Sequence, residues 1–338
     1  MIAKILKSLA ALIFVAIVCV FAVFFAWKRN CESFLENTLV SGNFIIEKGA
    51  SYSTVYDTVF GSADVPKGFD YYLRLMLKLP QKAHYGYYDA DNTSLSALLG
   101  NVMSGKQTLT KVTFPEGYNM YNIAAALETA QIVGQDEMLA VFLDRGLIEE
   151  LTGGSYESLE GFLAPGTYFF AKKYPPEKIA AKMVSDFYKT VPENFEVMAR
   201  AQGLSFYEAL TLASIVQKET YNAEESPLVA GVFLNRLKKK MLLQADPTII
   251  YGKYTEFDGK IRYRDLRNSE NRYNTYQHKG LTPTPICNPS AMALDAVINP
   301  ADTKYIYFVA QQDGRHIFAE TYDEHRRNVR IHQLGQSR

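Results

Sequence analysis

From Ser8 to Trp27 the chain reads SLAALIFVAIVCVFAVFFAW, about 20 residues without a charge, the length a helix needs to cross the hydrocarbon core of a bilayer. No polar face survives in the run, which argues against a helix packed at the edge of a soluble core. Lys4 and Lys7 precede it and Lys28 and Arg29 follow it, so the basic residues leave its orientation open. It ends in FFAWKRN, without the small-residue pattern of a signal-peptidase site. We read residues 1–30 as a tip and an uncleaved single-span anchor.

Beyond the anchor the pattern alternates between short apolar strands and amphipathic helices. NFIIEKGASYSTVYDTVF (Asn43 to Phe60) and KVTFPEGYNMYNIAAALE (Lys111 to Glu128) each give a strand, an acid and a Gly, then a helix. Gly49 and Gly117 supply the turns. Between them Thr93 to Lys106 reads as a helix closed by Gly105. LEGFLAPGTYFF (Leu159 to Phe170) reads as a packed Pro-Gly connection, and Pro175 and Pro176 open another helix. The class expected is α+β, with residues 31–130 forming small α+β modules, 131–202 a connecting region and 203–338 a catalytic domain.

The density of unusual polar positions rises from Ser205. Ser205 with Glu208 is a capping-box pair, so a helix should begin at Phe206. At about 100° per residue, Glu219 then shares a face with Leu212, Ile215 and Val216, while Ser214, Gln217 and Lys218 point elsewhere. An acid on an apolar stripe has its charged form disfavoured and its pKa raised, as a general acid requires. The alternative is that the helix frays and Glu219 pairs with Lys218 or Lys253 at the surface.

Ser226 and Pro227 suit the cap and first position of the next helix. On that helix Asn235 falls on the face of Leu228 and Val232, and Lys238 to Lys240 form a solvated end. Gln244, Asp246, Pro247 and Thr248 lead into apolar IIYG. Tyr273, Asn274, Thr275 and Tyr276 precede a Gly/Pro-rich loop. Amides, hydroxyls and tyrosine faces suit a sugar; equally, Asn274 and Thr275 could cap a turn and both tyrosines could be core.

Composition adds limits. The 338 residues are 48% apolar, ample for real cores, and carry 36 basic against 36 acidic side chains, so nothing favours nucleic acid. There are 23 Tyr and 20 Phe against one Trp, material for a core or for a sugar-stacking groove. Cys19, Cys31 and Cys287 suggest no disulfide framework, and His84, His278, His316, His325 and His332 show no ligand spacing. We expect neither metal nor other cofactor.

ASIVQKET around Glu219, VFLNRL with Asn235, LLQADPTIIYG with Gln244 and Asp246, YNTY at Tyr273 to Tyr276 and the tail YIYFVAQQDGRHIFAETYDEH together resemble the MltG (YceG-like) endolytic murein transglycosylases. The likeness is strong after about Gly203; before it, EGFLAPGTYFF is the best landmark. GLTPTPI at Gly280 to Ile286 departs from the family, which more often has two adjacent prolines where Thr282 stands. The resemblance implies a single-span inner-membrane protein with a LysM-like region, facing the cell wall and cutting peptidoglycan between N-acetylmuramic acid and N-acetylglucosamine to leave 1,6-anhydro ends. It makes Glu219 the catalytic acid. Asn235, Gln244, Asp246, Thr248, Tyr273, Asn274, Thr275 and Tyr276 become the candidates for holding the glycan, and peptidoglycan synthases become candidate partners in ending strand growth. Two alternatives stay open: a hydrolase using Asp246 as second carboxylate, and a membrane-anchored glycan-binding scaffold without catalysis.

Overall fold

The computed structural model describes residues 2–61, 63–311 and 314–332; residues 312 and 313 of the tail motif lie outside them. The chain divides into two compact units, the first running to Thr110 with Phe170–Lys173 added, the second comprising Lys111–Phe169 and the chain from Tyr174 onward. This division matches neither the boundary expected near residue 130 nor that near 202. Residues 111–169 and most of the expected connecting region share a unit with residues 203–338.

Helix α1 spans Ile2–Asn37. Its apolar side chains from Ile5 to Phe25 are exposed, whereas Cys31 and Leu35 lie in the core of the first unit. The same helix is therefore long and apolar enough to serve as a membrane span and also a structural member of the folded unit. Strand β1 (Leu39–Ile46) leads through Gly49, at φ +82°, to α2 (Tyr52–Phe60), whose N-cap Ser51 accepts from Thr54 N. Helix α3 (Phe69–Tyr71) runs directly into a π-helical turn, Tyr72–Leu77, and is followed by α4 (Leu79–Lys82). Strand β2 (Gly86–Ser94) pairs antiparallel with β1, Leu39 opposite Ser94 and Ile46 opposite Gly86. Helix α5 (Leu95–Ser104) ends on Gly105, whose φ of +70° only glycine adopts without strain, as the sequence expects.

In the second unit β3 (Thr110–Phe114), Gly117 at φ +77° and α6 (Met120–Thr129) repeat the strand, turn and helix order. Both copies thus form, one in each unit. Helices α7 (Gln135–Phe142) and α8 (Arg145–Thr152) precede β4 (Gly166–Phe170), which pairs with β3. Then follow α9 (Pro176–Thr190), α10 (Phe195–Ala201), α11 (Phe206–Glu219), α12 (Ser226–Lys238), α13 (Asp246–Gly252), α14 (Tyr263–Leu266) and α15 (Ala291–Ile298). A hairpin of β5 (Tyr307–Ala310) and β6 (His316–Ala319) and helix α16 (Tyr322–His332) complete the unit.

Helix α11 is the axis of this unit, packed against α10, α12, α13 and α15. Its capping box forms as the sequence requires, Ser205 Oγ accepting from Glu208 N and Glu208 Oε2 from Ser205 N. Its environment corrects the single apolar stripe. Every residue from Ala209 to Gln217 is buried, including Ser214 and Gln217. A helix with neighbours on all sides has no solvent face for these two, and they bond instead: Ser214 Oγ accepts from Ile286 N at 2.9 Å and Gln217 Oε1 from Ser290 N at 2.9 Å. Helix α12 also begins one residue early, with Glu225 at the cap, and the Ser226 hydroxyl donates to Asn222 O.

Candidate active site

Glu219 is the last residue of α11; at Thr220 the backbone turns extended. The helix does not fray before it. Lys218 donates to Gly117 O and Lys253 is paired with Asp265 at 2.8 Å, so neither lysine supplies a surface partner. Glu219 is partly exposed, yet its carboxyl sits in poorly solvated surroundings that push its pKa up to about 7; the charge of Asp246 raises it further and that of Arg236 opposes both. A carboxyl of this kind is half protonated near neutrality and can give and take a proton in one cycle.

Asp246 opens α13 and is exposed. Tyr276 donates its hydroxyl hydrogen to Asp246 Oδ1 at 2.6 Å, and burial followed by this bond pushes the phenol pKa up. Both groups interact electrostatically with Glu219. Two residues that the sequence reading put on the site are thus gathered around the acid.

Arg236 was not singled out from the sequence, although it lies inside the VFLNRL motif. It is buried, donates from Nε to Ile306 O at 2.7 Å and from one terminal nitrogen to Leu243 O at 2.7 Å, and its guanidinium is the cation that acts on Glu219. Only the tertiary fold reveals it, because its partners come from the strand region around residue 306 and the segment before Gln244.

Most of the other candidates are fasteners. Asn235 donates to Thr303 O at 2.7 Å and Tyr305 O at 3.0 Å. Asn274 is fully buried, its amide bonded to the carbonyls of Asp265, Leu266 and Asn268 while its oxygen receives Tyr276 N. Thr248 and Thr275 share a buried hydroxyl contact of 3.0 Å, and Thr275 Oγ1 accepts from Ala245 N. The Tyr273 hydroxyl bonds that of Thr284, and its ring packs edge-on against Tyr251. Thr248 and Thr275 thus fix Ala245, the residue before Asp246, and Asn274 fixes the backbone of Tyr276, whereas Asn235 and Tyr273 fasten the segments around Thr303 and Thr284. Gln244 remains exposed, its backbone at φ +51° and its N–H bonded to Thr275 O. Thr282, the departure from the family pattern, closes its own turn by donating to Thr284 O at 2.8 Å.

A fully buried acid, also missed, lies in the EGFLAPGTYFF landmark. Glu160 receives Met120 N, the Tyr251 hydroxyl and the Asn288 amide at 2.9, 2.9 and 3.0 Å, and burial pushes its pKa up to about 7 against the pull of those bonds. Asn288 Oδ1 in turn receives Gly161 N and Leu163 N. Gly161 has to be glycine: at φ +90° a Cβ would fall 2.6 Å from Pro285 Cγ. Glu160 thus joins the start of α6, the end of α13 and the loop that Ser214 and Gln217 fasten to α11. Among the described residues no group of His, Cys, Asp and Glu is arranged to hold a metal ion.

Comparison with known proteins gives a consistent picture. The model of the YceG-like family matches residues 44–331. A relative from Bacillus subtilis, named endolytic murein transglycosylase, is 29% identical over 318 residues, covering 88% of this chain and 86% of the relative. One of the same name from Streptococcus pneumoniae serotype 2 is 27% identical over 344 residues, and there the match takes in 91% of this chain but 62% of the longer relative. The crystal structure of a yceG-like protein from Listeria monocytogenes superposes with a TM-score of 0.58 at 27% identity, covering 86% of this chain and 99% of that one.

Proposed function

The chain belongs to the YceG-like family, and on that premise we propose that it is an endolytic murein transglycosylase, a lyase that cuts peptidoglycan glycan strands internally. The observation that carries the reading is Glu219, an acid at the end of a buried helix with its pKa raised to about 7 and with Asp246 and Tyr276 beside it. Protonated Glu219 donates to the glycosidic oxygen between N-acetylmuramic acid and N-acetylglucosamine. The carboxylate left behind accepts the proton of the muramyl C6 hydroxyl as that oxygen attacks C1, and a 1,6-anhydro end forms. Water is not consumed, and a single carboxyl suffices.

In this reading Asp246 keeps Glu219 protonated and, with Tyr276 and the exposed Gln244, faces the sugar. Thr248, Asn274 and Thr275 hold the backbone that carries those groups rather than the glycan, and Asn235 and Tyr273 fasten neighbouring loops. The first unit, with β1 and β2 antiparallel and helices between them, serves as a LysM-like module that holds the strand. Helix α1 is a single-pass anchor in the inner membrane with both units on the cell-wall side, where cutting nascent glycan ends strand growth near the synthases.

The electrostatic link between Asp246 and Glu219 also supports a second reading, hydrolysis by two carboxylates. Digestion of purified glycan strands, with product ends weighed, separates the two. The transglycosylase gives anhydro-muramyl ends that vanish in Glu219→Gln. A hydrolase gives reducing ends heavier by one water, and an absence of cutting by the wild-type chain would leave the glycan-binding scaffold.

A further inference from the structure

Residues 64–82, DVPKGFDYYLRLMLKLPQK, play no part in the chemistry above, yet they present an unusual surface. The inner side of the segment is core: Phe69, Tyr72, Leu73 and Leu79 are buried. Its outer side exposes Tyr71 at 62%, Leu75 at 69% and Met76 at 40%, three large apolar side chains within six residues. The π turn makes this arrangement: Lys78 N reaches back five residues to Leu73 O, and the widened turn leaves Leu75 and Met76 exposed together. The same segment carries four exposed basic residues, Lys67, Arg74 (over the Tyr52 ring), Lys78 and Lys82, against two acids, Asp64 and Asp70.

The place of this segment on α1 gives the patch its meaning. Trp27, the last residue of the apolar run, donates Nε1 to Lys67 O at 3.1 Å and meets the Tyr72 ring edge-on at 6.2 Å. Trp at the end of a span marks the headgroup level, and Lys28 and Arg29 follow it immediately. The segment is therefore pinned to the one point on α1 where hydrocarbon gives way to headgroups. An exposed apolar patch at that level, in a segment where bases outnumber acids, has the composition of an interfacial membrane element.

We propose that residues 67–78 dock on the surface of the bilayer that α1 crosses, with Tyr71, Leu75 and Met76 entering the headgroup region and Lys67 and Lys78 meeting anionic lipid phosphates. The proposal rests on α1 being the anchor, and the test contains a control for that. The full chain is reconstituted in vesicles of phosphatidylcholine with phosphatidylglycerol, with a photoreactive benzoylphenylalanine replacing Phe21, Leu39, Tyr71 or Leu75 one at a time. All four side chains are exposed, so the replacements leave the core intact. Leu39 lies about twelve residues, or roughly 18 Å, beyond Trp27 if the helical rise is extended to it.

Phospholipid adducts at Tyr71 and Leu75 comparable in yield to those at Phe21, and lost at Leu39, are the expected result. Lys67→Gln with Lys78→Gln should then bring the phosphatidylglycerol share of the adducts at Leu75 down toward its share in the vesicle. Lipid adducts at Phe21 alone would overturn the proposal. So would protein adducts at Leu75, which would assign the patch to a second copy or another partner. No lipid adduct at Phe21 would overturn the anchor and the docking with it.

Discussion

Exchanging Glu219 for Gln removes the acid and the energetic penalty it carries. In the unfolded chain the carboxyl titrates at its ordinary value of 4.5, and in the folded protein at about 7. The native state therefore binds this proton more tightly than the unfolded state does. The group's contribution to stability is fully present below about pH 4.5 and is lost as pH rises through 7. At about 1.4 kcal/mol for each pH unit, the difference reaches roughly 3 kcal/mol above pH 8, an upper figure because Glu219 keeps some solvent. Glutamine has nearly the same shape and no charge, so Glu219→Gln should match the wild type near pH 4 and exceed it by up to about 3 kcal/mol near pH 8.5. For a unit of this size that corresponds to a rise of roughly 6–12 °C in unfolding temperature. Calorimetry of the full chain in detergent at both pH values measures the gap. Glu160 titrates in the same range, but it is common to both proteins and cancels in the difference. A gap that does not change with pH, or a variant less stable than wild type at pH 8.5, would refute the placement of a strained carboxyl at Glu219. Anhydro-end formation should be lost in the same variant, so that stability and activity move in opposite directions.

Asp246→Asn removes a charge that raises the Glu219 pKa, so the alkaline limb of the pH profile for glycan cutting should move to lower pH. Activity near pH 8 then falls up to about tenfold for each unit of movement, and a limb that stays in place would show that Asp246 does not act on the acid. Asn274→Ala removes three bonds to the carbonyls of Asp265, Leu266 and Asn268, a destabilisation of about 2–4 kcal/mol measurable by denaturant unfolding. At a temperature where the variant stays folded any change in KM for glycan should be small beside the stability loss, since Asn274 reaches the sugar only through the backbone of Tyr276; a KM effect with unchanged stability would return Asn274 to the substrate.

Local signals carried much of this fold. The Ser205 and Glu208 pair set the start of α11, Gly105 the end of α5, and Gly49 and Gly117 the two turns, because each depends on residues within a few positions. Glu219 was legible for a related reason: an acid at the end of an apolar helix contradicts its surroundings wherever the helix packs. What polar neighbours bind was not legible. Asn235, Thr248, Asn274 and Thr275 look the same in sequence whether they await a sugar or satisfy groups of the protein itself, as Thr275 does for Ala245, 30 residues away, Asn235 for Thr303 and Tyr305, 68 and 70 away, and Asn274 for three nearby carbonyls. Arg236 and Glu160 were missed for the same reason, since the burial that gives each its role is created by segments distant in the chain.

Helix α1 passes from its apolar stretch into the core of the first unit without a break, with Cys31 and Leu35 already packed there. The unit consequently inherits the bearing of the helix as well as its position. One residue inserted just before Trp27, which the unit also grips, would swing the unit about 100° around the helix axis relative to the apolar stretch and lift it about 1.5 Å, whereas seven would lift it about 10 Å and return it nearly to its first heading. The junction acts as a keyed shaft rather than a leash: its length in residues sets the compass direction in which the first unit faces about the axis of the apolar helix.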